Sequence, residues 1–433
     1  MPLAHMKAPA THTASAVTYR AALTVMTTLF FMWGFVTVLN DVLVPHLKAI
    51  FDLNYARVML IQFAFFSAYF IFSIPSAKVI DWIGYKKTVV VGLVTMAIGA
   101  LLFIPAASAP SFWLFLGALM VLAAGITALQ VAANPYVAVL GRPETASSRL
   151  NLAQAFNSLG TTIGPYLGGL FILSAAPISM EAVRQMPPDA LQAYRIHEAA
   201  SVKLPYLIIS LLLFALAIVI GLFKLPPIPE AERHGQTGNR QSLWQYRHLV
   251  LGTGAIFVYV GAEVSIGSFL INYLSQPEIA NISAATAARF VAFYWGGAMI
   301  GRFIGSAVLQ KVRTGVVLGI AAIAACLLLI LSMFSFGHVA MWSILSVGLF
   351  NSVMFPSIFT LGIAELGPLT GDGSGALIMA IVGGAIIPLL QGVLADRIGI
   401  HHAFVLPVLC YLYIVFYAFR GSRPVTATPL FER

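Results

Sequence analysis

Charge is scarce in this sequence. Asp, Glu, Lys and Arg make up 9% of its 433 residues, while 60% are hydrophobic. Soluble domains carry about 25% charged residues, so a water-soluble fold is excluded and an all-α polytopic membrane protein is expected. Cysteine is scarcer still. Cys326 and Cys410 both lie in apolar runs, which excludes a disulfide framework and a thiolate metal cluster. His401 and His402 are adjacent, the wrong spacing for two ligands on one helical face, so neither a metal nor any other cofactor is expected, and a membrane-embedded enzyme is not. No G-x-x-x-x-G-K-[ST] stretch occurs, which excludes an ATP-driven pump. The formal charge of +9 reflects basic loops placed for topology, so the expected surroundings are a lipid bilayer and not a nucleic acid.

Apolar length is what the chain has in abundance. About 20 apolar residues cross the hydrocarbon core as a helix. Twelve such runs are read at 21–45, 58–80, 88–107, 111–140, 149–176, 204–224, 248–275, 285–309, 315–336, 339–364, 373–395 and 401–420. They divide into two six-helix halves, 20–224 and 248–420, joined by a polar linker over 225–247. Short tails flank them at 1–19 and 421–433, the first reading as disordered. With the N-terminus inside, inner segments hold 17 Lys and Arg and outer loops hold 7. Both termini are therefore expected in the cytoplasm of a bacterial inner-membrane protein. The halves echo each other. Pro135 and Gly141 in "NPYVAVLG" answer Pro356 and Gly362 in "FPSIFTLG", and "PYLGG" at Pro165 answers "PLLQG" at Pro388. A repeat of six helices is a common transporter plan, with the substrate held between halves near the midplane.

Against that apolar ground, a few polar residues stand out. "FFMWGFVTVLNDVLVPHL", residues 30–47, carries Asn40 and Asp41 inside a span. A shift of 222 residues brings Asp41 onto Glu263, the acid well inside the seventh run. A carboxylate in hydrocarbon costs several kcal/mol unless it faces a cavity or a partner. In a cavity it could take a proton on one side and release it on the other, or bind Na⁺, and so bias a two-state carrier. The alternative is an interhelical salt bridge or a boundary position.

Amides form the second group. Gln130 and Asn134 lie in the fourth run, and Asn151, Gln154, Asn157, Ser158 and Thr161 in the fifth. At 100° per residue, Asn151, Gln154, Ser158 and Thr161 fall within about 80° of one another, with Asn157 at the edge. Asn351, Ser352 and Thr360 repeat the theme in the tenth run. Neutral groups that donate and accept match an uncharged polyhydroxylated ligand, although interhelical polar bonding uses the same residues. Phe31, Trp33, Tyr69, Tyr259, Tyr294 and Trp295 could supply flat faces for a sugar ring. No mid-membrane cluster of Lys and Arg exists for an anionic substrate; Arg302 comes nearest and reads as structural.

Two motifs resemble the major facilitator superfamily. In "IDWIGYKK", Asp81, Gly84, Lys86 and Lys87 match the acid, glycine and basic pair of the loop after the second helix, with Trp82 where a basic residue is usual. "GTTIGPYLGG", Gly160 to Gly169, is similar to the fifth-helix Gly-Pro motif. From about residue 20 to 420 the chain more closely resembles the L-fucose–proton symporter family. This rests on "LNDVLVP", "AANPYVAVLG", "RLNLAQAFNSLG", "YVGAEVSIGSFL" and "FPSIFTLGI" in order. The resemblance implies cation-coupled sugar import by alternating access, by a monomer. It gives Asp41 the place of a first-helix Asp that serves sugar binding and proton coupling. It places Gln130 where the fucose symporter has a fourth-helix Glu, and Glu263 where that protein has an amide. These departures point to the glucose/galactose branch. They make Asp41 and Glu263 the coupling candidates, with H⁺ or Na⁺ as the ion. Asn40, Gln130, Asn134, Asn151, Gln154, Asn157, Tyr259 and Asn351 are the sugar candidates, and Asp81, Gly84, Lys86 and Lys87 would gate. L-fucose, an N-acetylated aminosugar and a non-transporting sugar receptor are the alternatives.

Overall fold

A peptide group in hydrocarbon has no water to bond, so each apolar run must satisfy its own backbone, and a helix does so. The computed structural model describes residues 12–51, 55–108, 111–172, 203–226 and 242–424, with a few residues between 186 and 194. Side chains of 12–18, 39–51, 55–59, 165–172, 284 and 285 fall outside that description. So do most of the 225–247 linker and of the tail beyond 424, and so do the side chains of Asn40 and Asp41.

The described elements follow the expected apolar runs in order. The first half holds α1 (His12–Phe51), α2 (Tyr55–Ser108), α3 (Phe112–Val139), α4 (Ala146–Ile172) and α5 (Lys203–Leu222). The second holds α6 (Arg247–Leu274), α7 (Ala284–Val308), α8 (Thr314–Phe334), α9 (Gly337–Asn351), α10 (Met354–Gly362), α11 (Thr370–Met379), α12 (Gly383–Ile398), α13 (Ile400–Ala403) and α14 (Val405–Phe416). Nine helical stretches among the described residues are long and apolar enough to span a membrane. One of them, within α2, runs for 49 residues, about 70 Å if straight and so enough for two passes. It turns back at Gly84, with φ 79° and ψ 167°, a backbone that a side chain would strain. Gly399 takes nearly the same conformation, φ 81° and ψ 152°, between α12 and α13. The fifth and eighth runs are α4 and α7, which are more polar.

Two runs of the second half are broken near their middle. α9 stops at Asn351 and α10 starts at Met354; Pro356 has no N–H to give the Ser352 carbonyl. A 3-10 turn over Ala380–Val382 separates α11 from α12. Irregular backbone at membrane depth persists where it lines a cavity or is buried in protein, so these breaks mark the region to search for a site.

Among the described residues, the two halves are bonded to each other along one seam. Among the described residues, every hydrogen bond between them lies from mid-helix toward the end that carries the 84, 141, 309–313 and 363–369 turns. Ser147 bonds Thr360 at 2.5 Å and Thr314 at 2.9 Å. The Ser148 hydroxyl donates to the Ser306 carbonyl at 2.7 Å, and Ser306 returns a bond at 3.1 Å. Ser374 donates to the Val131 carbonyl at 2.8 Å.

Candidate sugar and ion site

Glu263 projects from the middle of α6. Arg302 of α7 is a cation near enough to act on its carboxylate, and the Tyr259 hydroxyl lies beside it. Its Oε1 is buried without a hydrogen-bond partner among the described residues. An uncompensated carboxylate oxygen there carries a large desolvation penalty. It is the kind of group that gains most from taking up a proton or a cation.

Behind Glu263 stands a buried tyrosine cluster centred on Asn351, at the α9 break. Asn351 Nδ2 donates to Tyr294 Oη at 2.8 Å, and Tyr411 Oη donates to Asn351 Oδ1 at 2.7 Å. Tyr259 Oη donates to the Asn351 carbonyl at 3.0 Å, and Tyr294 Oη reaches the Glu263 carbonyl at 3.4 Å. Asn351 is fully buried. Its amide is engaged on both sides by protein, so the structure places Asn351, Tyr259 and Tyr294 in one internal network.

The polar stripe on α4 divides between two neighbours. Asn151 Nδ2 donates to the Arg302 carbonyl at 2.6 Å. The Arg302 guanidinium donates to the Ser158 hydroxyl and, at 3.5 Å, to the Gln154 carbonyl. Asn157 turns to α1 and donates to the Phe30 carbonyl at 3.0 Å. A Cβ on Gly34 would sit 2.1 Å from the Asn157 carbonyl, so glycine is what lets α1 and α4 come this close. Thr161 bonds back to its own helix. The Gln154 amide makes no bond among the described residues, and of the stripe it is the side-chain amide left wholly uncommitted.

In the first half, Gln130 Nε2 donates to Tyr69 Oη at 2.8 Å. Both amide atoms of Asn134, a turn further along α3, are buried without partners among the described residues. Trp33 packs on Phe30 with centroids 5.2 Å apart, whereas Trp295 is exposed on the outer surface.

The loop motif sits at the closed end of the seam. Lys78 bridges Asp81 at 3.2 Å and Asp372 of α11 at 2.7 Å, and the second of these, a part-buried ion pair, ties the halves together. Lys86 donates to the Gly221 carbonyl at 2.7 Å and caps α5; Lys87 is exposed. Sequence reasoning passed over Lys78, Asp372, Tyr411 and the serines 147, 148 and 306. The Ser147–Ser148 pair opening a membrane helix was the available signal. Gln391, fully buried with both amide atoms unpartnered among the described residues, was visible in "PLLQG" but had no partner to suggest its role.

The chain is 55% identical to a glucose/galactose transporter of Brucella abortus, over 95% of this chain and 97% of that one. It is 36% identical to the L-fucose–proton symporter of Escherichia coli, over 92% of each. A crystal structure of that fucose transporter in its outward conformation superposes with a TM-score of 0.87 at 35% identity, covering 93% of this chain and 98% of the other. The Major Facilitator Superfamily pattern matches residues 23–381, and the chain belongs to that superfamily of multi-pass membrane transporters.

Proposed function

We propose that this protein is a proton-coupled symporter that imports a neutral monosaccharide of the glucose or galactose kind by alternating access between its halves, 20–224 and 248–420. The observation that carries the reading is Glu263, a membrane-buried carboxylate with an oxygen unpartnered among the described residues, beside the seam where the halves meet. Identity to a glucose/galactose transporter supports the choice of sugar, and the proton named for the fucose relative supports the choice of ion. Asp41 and Glu263 are the coupling pair. Asn40, Gln130, Asn134 and Gln154 are the groups offered to sugar hydroxyls; Asn151 and Asn157 position α4; Tyr259 and Asn351 hold the second half around Glu263. Asp81, Gly84, Lys86 and Lys87 gate with Lys78. L-fucose is the less favoured sugar. A panel of labelled sugars, taken up into proteoliposomes under a pH gradient or a Na⁺ gradient, tests the reading. Uptake of glucose or galactose driven by pH is expected, and uptake driven by Na⁺ alone would overturn the ion.

Gln154→Ala is expected to weaken sugar binding about 3–10-fold, the value of one neutral hydrogen bond, with normal membrane insertion. Unchanged affinity for every transported sugar would remove Gln154 from the site.

The closed end of the seam is assigned to the cytoplasm, with both termini, in a bacterial inner membrane. An impermeant thiol reagent on intact cells should label a cysteine at exposed Glu278 and spare one at exposed Lys311. The native Cys326 and Cys410 are buried. The reverse pattern would invert the orientation.

A further inference from the structure

Pro135 takes a hydrogen bond away from α3. It has no N–H, so the Val131 carbonyl one turn earlier loses its helical donor. Ser374 of α11, in the other half, supplies a donor instead, at 2.8 Å. Asn134, the residue before the proline, is fully buried, with both amide atoms unpartnered among the described residues. Ser73 of α2 is fully buried as well, and its hydroxyl is likewise unpartnered among them. These groups share one register. Past Gly84, α2 runs antiparallel to α3: Gly92 meets Leu129 and Gly99 meets Leu122. The limb of α2 before Gly84 therefore runs parallel to α3, and on it Tyr69 bonds Gln130 at 2.8 Å. Four residues on, the next turn of each helix brings Ser73 and Asn134 round to the same faces. α11 of the opposite half lies across them. A Cβ on Gly375 would sit 2.9 Å from the Ala77 Cβ and 3.3 Å from the Ser73 carbonyl, while the neighbouring Ser374 holds Val131.

On the reading of this protein as a sugar carrier, on which this rests, we propose that Ser73, Asn134 and the Val131 carbonyl form a second sugar subsite. It serves the membrane face at the closed end of the seam and is uncovered when α11 parts from α2 and α3. Buried polar groups in folded proteins are nearly always paired. An amide and a hydroxyl held dry under a neighbouring helix are desolvated at a cost, and that cost is relieved in the state that exposes them. The chemistry of the set names the ligand. Asn134 donates and accepts, Ser73 does both, and the carbonyl released by Ser374 accepts. Together they suit the adjacent hydroxyls of an uncharged sugar. Their place along α3 gives the order of use. Gln130 lies about 6 Å nearer the membrane centre, so a sugar leaving it toward the closed end meets Asn134 and Ser73 next. The same atoms are out of reach from the other face while the seam is shut.

Labelled galactose and glucose, carried by the full-length protein in right-side-out and in inside-out membrane vesicles without an ion gradient, give a half-saturation concentration for each face. Asn134→Ala and Ser73→Ala should each raise the value at the closed-seam face, relative to the other face, about 3–10-fold, the scale of one neutral hydrogen bond. Ser73→Ala carries the test if Asn134→Ala fails to insert. Ser374→Ala strands the Val131 carbonyl while the seam is closed and so favours the open seam. It should move the same ratio the opposite way, by about threefold or more; a ratio that stays put removes α11 as the element covering the subsite. Asn134→Leu keeps the volume and removes the unpartnered atoms, so it should melt no lower than wild type. A lower melting temperature would mean that the amide is already paired, which overturns the subsite. So does an equal change at both faces, or none, in Asn134→Ala and Ser73→Ala, because these groups then meet water alone. Wild-type vesicles that carry neither sugar would instead sink the sugar reading itself, and the subsite with it.

Discussion

Glu263→Gln is expected to abolish uphill sugar accumulation while leaving equilibrium exchange of sugar intact. Glutamine keeps the shape of the side chain and fixes it in the state that resembles the protonated acid. A positive charge moving inward gains about 2.3 kcal/mol per 100 mV, enough for roughly 50-fold accumulation at that voltage. The gain reaches the sugar only if the carrier cannot reorient freely with one of the two ligands missing. A carrier whose acid no longer titrates crosses with sugar alone, so its accumulation ratio should fall from tens to about one. Exchange needs no return of the empty carrier with a free proton site, so it should persist. Asp41→Asn is expected to lose accumulation as well, since it occupies the first-helix position that the family resemblance assigns to coupling. The measurement is pH-gradient-driven uptake beside exchange in the same vesicles. A Glu263→Gln protein that concentrates sugar as the wild type does would leave Asp41 as the coupling acid and make Glu263 structural.

The helices were legible in the sequence because the bilayer is a demanding solvent. Runs such as 204–224 and 315–336 contain almost nothing polar, and α5 and α8 follow them within a few residues. The break at Asn351 was less legible. The tenth run reads as one apolar stretch, and only packing against α6 shows that the Tyr259 hydroxyl takes up the Asn351 carbonyl at the break. The α4 stripe was legible as a stripe, since 100° spacing fixes which side chains share a face. Its partner was not. One face of a helix can serve sugar hydroxyls or a neighbouring helix with the same residues, and here Ser147, Ser148, Asn151 and Ser158 are used largely by the opposite half. Arg302 shows the same limit. In sequence it is a lone cation near a helix end, and its significance comes from the Glu263 face of α6 and the Ser158 face of α4, which lie 39 and 144 residues away in the chain.

Asn351 offers the sharpest separation between a sugar-binding amide and an internal one. Its Oδ1 accepts from Tyr411 at 2.7 Å and its Nδ2 donates to Tyr294 at 2.8 Å, all within a fully buried cluster. Asn351→Leu preserves volume and removes both bonds. The Tyr411 hydroxyl is then stranded, and a stranded buried group costs about 1–3 kcal/mol beyond the lost bond itself. Membrane interiors moderate such losses, because the unfolded chain in lipid also finds partners. We therefore expect about 2–4 kcal/mol of destabilisation in detergent. Tyr411→Phe alone should cost about 1–3 kcal/mol by stranding Asn351 Oδ1. Combining the two should cost less than their sum, because removing both partners leaves nothing unsatisfied between them. Sugar affinity of the folded Asn351→Leu protein should stay within a few-fold of wild type. Denaturant unfolding of the two single variants and the double, with sugar binding measured on each, decides the matter. Strict additivity would mean that the Asn351–Tyr411 bond contributes nothing. Loss of sugar binding at unchanged stability would move the Asn351 amide out of the tyrosine network and into the substrate cavity.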